Sequence, residues 1–183
     1  LTVKIARSIQ ENGIEAEETV SLFLKRSRVL NLSPNRVRIA LQLVARNKGK
    51  KILVFHEDIE ACEIIFQVLV DYGLVAGIYH SKMPLRKRAE MLGAFRNGGI
   101  TVLVTCRALD EGFNVPETEV GIIAASTATR RQRIQRLGRV VRPAKGKDAA
   151  TIYTLVATAP ELQRLKQEEI DLDGVANVSW VQA

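Results

Sequence analysis

Residues 135–143 read QRLGRVVRP, which sets Arg136, Arg139 and Arg142 three residues apart around Gly138 and stops them at Pro143. On a helix, positions i and i+3 share a face. Three guanidinium groups at that spacing therefore crowd one side of a short segment, a costly arrangement unless an anion faces them. Arginine suits such a task because its planar fork donates two parallel hydrogen bonds and keeps its charge at any physiological pH. The plain alternative is a basic helix facing water.

Other chemistry-bearing residues are few. Glu57 and Asp58 form an acid pair, but they begin a helix, where carboxylates complement the dipole. His56 has no evident partner for general-base work, and neither it nor His80 is assigned a catalytic role. Cys62 and Cys106 fit reduced thiols of an intracellular protein better than a disulfide framework or a metal cluster, and no metal site is expected.

The net charge of +7 and pI near 9.7 point to an anionic partner. Distribution says more than the total. Residues 25–51 hold nine Lys or Arg and residues 130–147 hold eight, with no Asp or Glu in either stretch. With 46% hydrophobic and 26% charged residues, the composition is that of a globular protein. Apolar runs reach only about five residues against the roughly 20 of a membrane-spanning helix, and no signal peptide is evident. The expected location is cytoplasmic, or nuclear in a eukaryote, with no membrane partner.

The elements that must position these residues alternate. Apolar runs at 51–55, 74–79, 101–105, 120–125 and 150–157 read as strands, and the segments after the first two read as amphipathic helices. The first of these helices stops at Gly73; the second, 84–99, opens with Pro84 at its first position and closes on Gly98 and Gly99. Strands that are apolar throughout mean a parallel sheet covered on both faces, an α/β fold. Residues 1–32 read as a helical connector to something upstream. Residues 33–160 form the main domain, entered by a helix with Ser33 as N-cap, Pro34 just inside and Gly49 past its end. Residues 161–183 form a terminal helix and tail, where Trp180 either sits on a short strand or simply packs.

In open parallel sheets, ligands bind where loops leave the carboxyl ends of the strands. There this sequence places an ordered set: KILVFHE (51–57), YHSKMPLRKRAEMLGAFRNGGITVLVT (79–105), LDEGFNVP (109–116) and QRLGRVVRP (135–143). Together they resemble the second RecA-like lobe of superfamily 2 helicases and translocases, over roughly residues 35–157. The wording of LDEG and GRVVRP is most similar to the DNA helicases of the xeroderma pigmentosum group B type and their restriction-enzyme relatives. It is less similar to the DEAD-box RNA helicases, whose last motif ends in a GR pair where this chain has Val141 and Arg142.

The resemblance implies an ATP-dependent motor lobe in which the anion facing the arginines is the triphosphate, held with Mg2+ mainly by an N-terminal RecA-like lobe of the same polypeptide. It implies that Arg139 and Arg142 are arginine fingers, that Gln135 lies near the γ-phosphate and that Arg136 bridges toward the first lobe. Asp110, Glu111 and Gly112 become nucleotide-coupling residues. Asn114 stands where relatives commonly carry an Asp for the ribose, so it can hydrogen-bond there but brings no charge. Thr105 and Cys106 become contacts to the nucleic-acid backbone, with a small residue tolerated near the backbone as the equal reading of Cys106. His80, Ser81 and Arg86 join them, local helix capping being the rival for His80, and Lys82, Arg88 and Arg96 divide between phosphate and solvent. The implied partner is DNA ahead of RNA. Alternatives are a restriction-system motor and a non-catalytic binding or docking module.

The sequence contains neither a GxxxxGK[ST] phosphate loop nor a DExH box. The chain by itself is therefore expected to hydrolyse ATP negligibly; a phosphate-release assay showing turnover near that of a complete helicase would refute this expectation.

Overall fold

Ile52, Leu53, Val54 and Phe55 offer apolar side chains to both sides of the backbone, and such a run is stable only where both faces are covered. The computed structural model, which describes residues 2–106, 115, 118–125, 150–169 and 177–182, places this run at the centre of a sheet. The described elements are α1 (Thr2–Asn12), α2 (Glu17–Asn31), α3 (Pro34–Arg46), β1 (Ile52–His56), α4 (Ile59–Asp71), β2 (Ala76–Tyr79), α5 (Leu85–Arg96), β3 (Val102–Cys106), β4 (Val120–Ile123), β5 (Thr151–Thr154) and α6 (Ala159–Glu169).

The strand order is β2-β3-β1-β4-β5, and every pairing is parallel. One row of the register joins Tyr79, Thr105, Phe55, Ile123 and Thr154, so the five strands end together. Ile52, Val54, Val102, Val104, Val120 and Ile122 pack on one face against Ala40 and Val44 of α3 and Cys62, Ile65 and Leu69 of α4. Leu53, Phe55, Leu103 and Ile123 face the other side, against Phe95 of α5, Ile100 and Val115. This is the RecA-like arrangement expected, with helices on both faces and a helical segment in front.

Several boundaries differ from the sequence reading. Pro84 is the N-cap of α5, at ψ 142°, so the helix begins at Leu85; a fixed φ near −54° suits either position, and the extended ψ decides it. Ser33 does occupy the N-cap of α3, but its side chain makes no capping bond, and the helix ends at Arg46, before Gly49. Gly73 ends α4 as expected, at φ +74°. Gly77 serves another purpose: a Cβ there would meet Ile100 Cδ1 at 2.4 Å and Met91 Sδ at 3.2 Å, so a side chain on this edge strand would force the Ile100 side chain to move. Residues 177–182 form no strand; Trp180 Nε1 donates to Glu169 Oε2 at 2.9 Å while the Lys166 ammonium lies 5.7 Å from its ring centre. Helices α1 and α2 pack as a hairpin and share a buried hydroxyl pair, Ser8 with Thr19, at 2.7 Å. Among the described residues no helix is long and apolar enough to cross a membrane.

Among the described residues, Arg36 is the most deeply buried of the Lys, Arg, Asp and Glu side chains. Arg36, 3% exposed, donates through Nη1 to the carbonyls of Ala124 and Leu155 at 2.8 and 2.9 Å, and through Nη2 to both carboxylate oxygens of Glu161. Removing one member of a buried pair leaves the other charge without compensation, at a cost of about 3–5 kcal/mol. Arg36→Ala is expected to lower the unfolding free energy in urea by about that amount; a loss under about 1 kcal/mol, the range of an exposed ion pair, would show the contact to be superficial.

Candidate functional site

The register gathers the chemistry at the carboxyl edge of the sheet. His80 follows β2, Cys106 ends β3, His56 ends β1 opposite Cys106, and Ala124 and Leu155 follow β4 and β5. Side chains alternate there. Cys106 and Ala124 belong to the face of α3 and α4, while Tyr79, Phe55 and Ile123 belong to that of α5.

His56 is fully buried and both ring nitrogens are engaged. The Asp58 backbone N–H donates to Nδ1 at 3.0 Å, so that nitrogen carries no proton. Nε2 holds the hydrogen and donates it to the Asn31 carbonyl at 2.9 Å, which joins the end of α2 to the edge of the sheet. Burial pushes its pKa below 6.5, outweighing the Asn31 carbonyl and Asp58, while Arg36 adds to the lowering. A ring so occupied holds structure, and its partners leave it no free nitrogen for proton transfer.

The thiol of Cys62 packs beside that of Cys106, and its Sγ lies 3.9 Å from the His56 carbonyl oxygen. The bond to Cys106 and burial push the Cys62 pKa up, so it stays a protonated, unreactive thiol. Cys106 thus packs its side chain into the core, and Thr105 is buried as well. Among the described residues no group of three His, Cys, Asp or Glu is placed to hold a metal ion.

The remaining candidates differ in exposure. His80 is 7% exposed; its Nδ1 is buried without a hydrogen-bond partner, and its Nε2 lies 3.9 Å from Glu63 Oε1. Burial lowers its pKa, Glu63 opposes the shift and Lys82 adds to it. Ser81 is exposed. So is Arg86, which bonds Glu90 on its own helix at 3.0 Å. Gln135, Arg136, Arg139, Arg142, Asp110, Glu111, Gly112 and Asn114 lie outside the described residues.

Sequence reasoning did not separate Arg88 from its basic neighbours. Its guanidinium carbon lies 6.0 Å from the centre of the Tyr79 ring, and its Nε is buried without a partner. Tyr79 pairs in register with Thr105, whose Oγ1 is also buried and unpartnered. Two unused polar groups, one cationic, therefore flank one aromatic ring near the carboxyl edge. The signal was present: Arg88 stands i−3, i−4 and i−7 from Met91, Leu92 and Phe95, on the helix face turned to the core.

The chain matches the helicase conserved C-terminal domain over residues 35–144, and it belongs to that family. Among curated proteins it is similar to the DNA 3'-5' helicase XPB of Kineococcus radiotolerans, with 30% identity over 71% of this chain and 23% of that protein. It is also similar to the putative DNA 3'-5' helicase Rad25 of Haloarcula marismortui, with 30% identity over 77% of this chain and 22% of that protein. The chain spans less than a quarter of the length of either relative. Among solved structures it resembles the C-terminal domain of the DEAD-box protein Dbp5, with a TM-score of 0.67 and 18% identity over 78% of this chain and 81% of that one, which speaks to the fold.

The two histidines carry a pH dependence. Both have native pKa values lowered from 6.5, so below 6.5 the unfolded chain binds more protons than the folded one. Their stabilisation is complete above that pH and is lost as pH falls toward the native values, with a slope up to about 1.4 kcal/mol per pH unit for each. Urea midpoints measured from pH 7.5 to 5 should therefore fall more steeply for the wild type than for His56→Gln; equal slopes would contradict the assignment of a neutral buried His56.

Proposed function

We propose that this chain is the second motor lobe of an ATP-dependent DNA helicase or translocase. Membership of the helicase C-terminal family supports the motor role, and the relatives named as DNA helicases support DNA ahead of RNA. ATP and Mg2+ are held mainly by a first RecA-like lobe, and this lobe brings Arg139 and Arg142 to the γ-phosphate as fingers. Gln135 and Arg136 orient the nucleotide and the lobe opposite. Asp110, Glu111, Gly112 and Asn114 couple nucleotide state to the strand-gripping residues. Phosphoryl transfer is catalysed largely by positioning and by neutralising charge, and a finger contributes about 10³ to 10⁵ in rate.

The observation that carries the reading is the pair of unpartnered polar groups beside Tyr79, Arg88 Nε on α5 and Thr105 Oγ1 on β3. The half-buried Arg88 guanidinium, with its Nε unpartnered beside Tyr79, suits a phosphate oxygen of a nucleic-acid backbone, and the fully buried Thr105 Oγ1 lies behind it on β3. Ser81 and Arg86 extend this surface outward, His80 adds an unpartnered nitrogen, and Cys106 contributes through its backbone. Alternate closing and opening of the lobes around ATP then moves the grip along the strand.

ATP hydrolysis by the complete two-lobe protein, measured with single-stranded DNA, duplex DNA and RNA in parallel, tests the proposal. DNA should stimulate turnover, and Arg139→Ala should lower it by about 10³-fold or more without loss of folding. Arg88→Gln should weaken single-strand binding and reduce the log-log salt slope by about 0.7. No stimulation by any polynucleotide, with turnover indifferent to Arg139→Ala, would instead identify a docking module.

A further inference from the structure

We infer that Arg36 is a positioning residue for the arginine segment, holding the carboxyl end of β4 from which residues 126–149 depart. The inference rests on the proposed finger role of Arg139 and Arg142. It begins with the hydrogen bonds that the sheet cannot make. The last bonds of the ladder run from Ala124 N–H to the Phe55 carbonyl and from Leu155 N–H to the Ile123 carbonyl, both at 2.9 Å. Beyond them the carbonyls of Ala124 and Leu155 are left over, and a buried carbonyl needs a donor. Arg36 Nη1 has two hydrogens, and its two acceptors are these two oxygens, at 2.8 and 2.9 Å.

The other half of the guanidinium is used in the same way. Nη2 donates to both oxygens of Glu161, and Glu161 Oε2 also accepts the Ala157 N–H at 2.9 Å, two residues beyond Leu155. One planar group therefore joins the first turn of α3, the ends of β4 and β5, and the first turn of α6. Lysine cannot reproduce this, since its donors radiate from a single nitrogen.

A buried ion pair of this kind adds little net stability over well-packed apolar side chains. What the guanidinium adds is geometry: it sets where β4 ends relative to β5 and α3. In sequence, Ala124 precedes the segment containing Gln135, Arg136, Arg139 and Arg142, and β5 follows it. Finger residues act by position, and a displacement of about 1 Å can cost about 10²-fold in rate. A group that fixes the departure point of the segment therefore acts on turnover through those arginines.

The test uses polynucleotide-stimulated ATP hydrolysis by the complete two-lobe protein, with Arg36→Lys, Glu161→Gln, the double variant Arg36→Met/Glu161→Met, and Arg139→Ala as control. Arg36→Lys and the double variant should lower kcat by about 10-fold to 100-fold while KM for ATP stays within about 3-fold, because the nucleotide is held by the other lobe. Glu161→Gln leaves both strand carbonyls on Arg36 and should lower kcat by less than about 3-fold. If folded Arg36→Lys or the double variant keeps wild-type kcat while Arg139→Ala is inactive, the positioning role is wrong and the finger reading survives. If Arg139→Ala is itself fully active, the finger reading fails and this inference fails with it. The double variant replaces both buried charges and so carries the test should Arg36→Lys not fold; failure of both to fold would mark Arg36 as purely structural.

Discussion

Everything else in the molecule follows from β1 being hydrogen-bonded on both sides by strands that run its own way. With β3 on one flank and β4 on the other, and β2 and β5 outside them in the same direction, the sheet has one edge where all strands end. Parallel strands cannot be joined by tight turns, so each connection must cross a face of the sheet. Helices α4 and α5 are two of those crossings. Residues separated by tens of positions along the chain, such as His56, His80 and Cys106, arrive at one line because the strands end in register.

That edge is also where polar groups enter the interior. The middle of the sheet is apolar on both faces, whereas its end holds Arg36, His56, Thr105 and the half-buried Arg88. The four are not equivalent. His56 is satisfied at both nitrogens, and Arg36 meets two carbonyls and a carboxylate, so these two consolidate the fold. Thr105 Oγ1 and Arg88 Nε have no such partners, and buried polar groups left in that state are costly. Arg36 Nε is in the same state, so what sets Arg36 apart is its two Nη groups, which tie the ends of β4 and β5 to α6.

The sheet and its helices were legible because their signals are local. ILVF at β1 and VLV at β3 are continuous apolar runs, and Gly73 marks the end of α4 after Ile59, Cys62, Ile65 and Phe66 at helical spacing, although Val70, read on the same stripe, is exposed and Leu69 is buried in its place. The polar partners of the edge were not legible. His56 is held by the carbonyl of Asn31 and the N–H of Asp58, backbone groups that every residue possesses and no composition reveals. Arg36 and Arg88 were counted with their basic neighbours, although each stands on an apolar stripe, Arg36 with Ala40 and Val44, Arg88 with Met91, Leu92 and Phe95. An arginine in register with the buried face of its helix is a different object from one among solvated charges, and periodicity distinguishes them where a charge count does not.

The central place of β1 has a consequence for the birth of the chain. Ile52 pairs with Val102, fifty positions later, and with Val120, later still, so the middle strand leaves the ribosome well before either of its neighbours. At roughly 5–20 residues per second, several seconds pass before β3 exists. Before β3 is made, α3 and then α4 precede it on one face, with Ala40, Val44, Ile65 and Leu69 packing on the finished sheet, and α5 follows on the other, with Phe95 beside Leu53 and Phe55. The helix faces that cover β1 are thus encoded ahead of the strands that hydrogen-bond it.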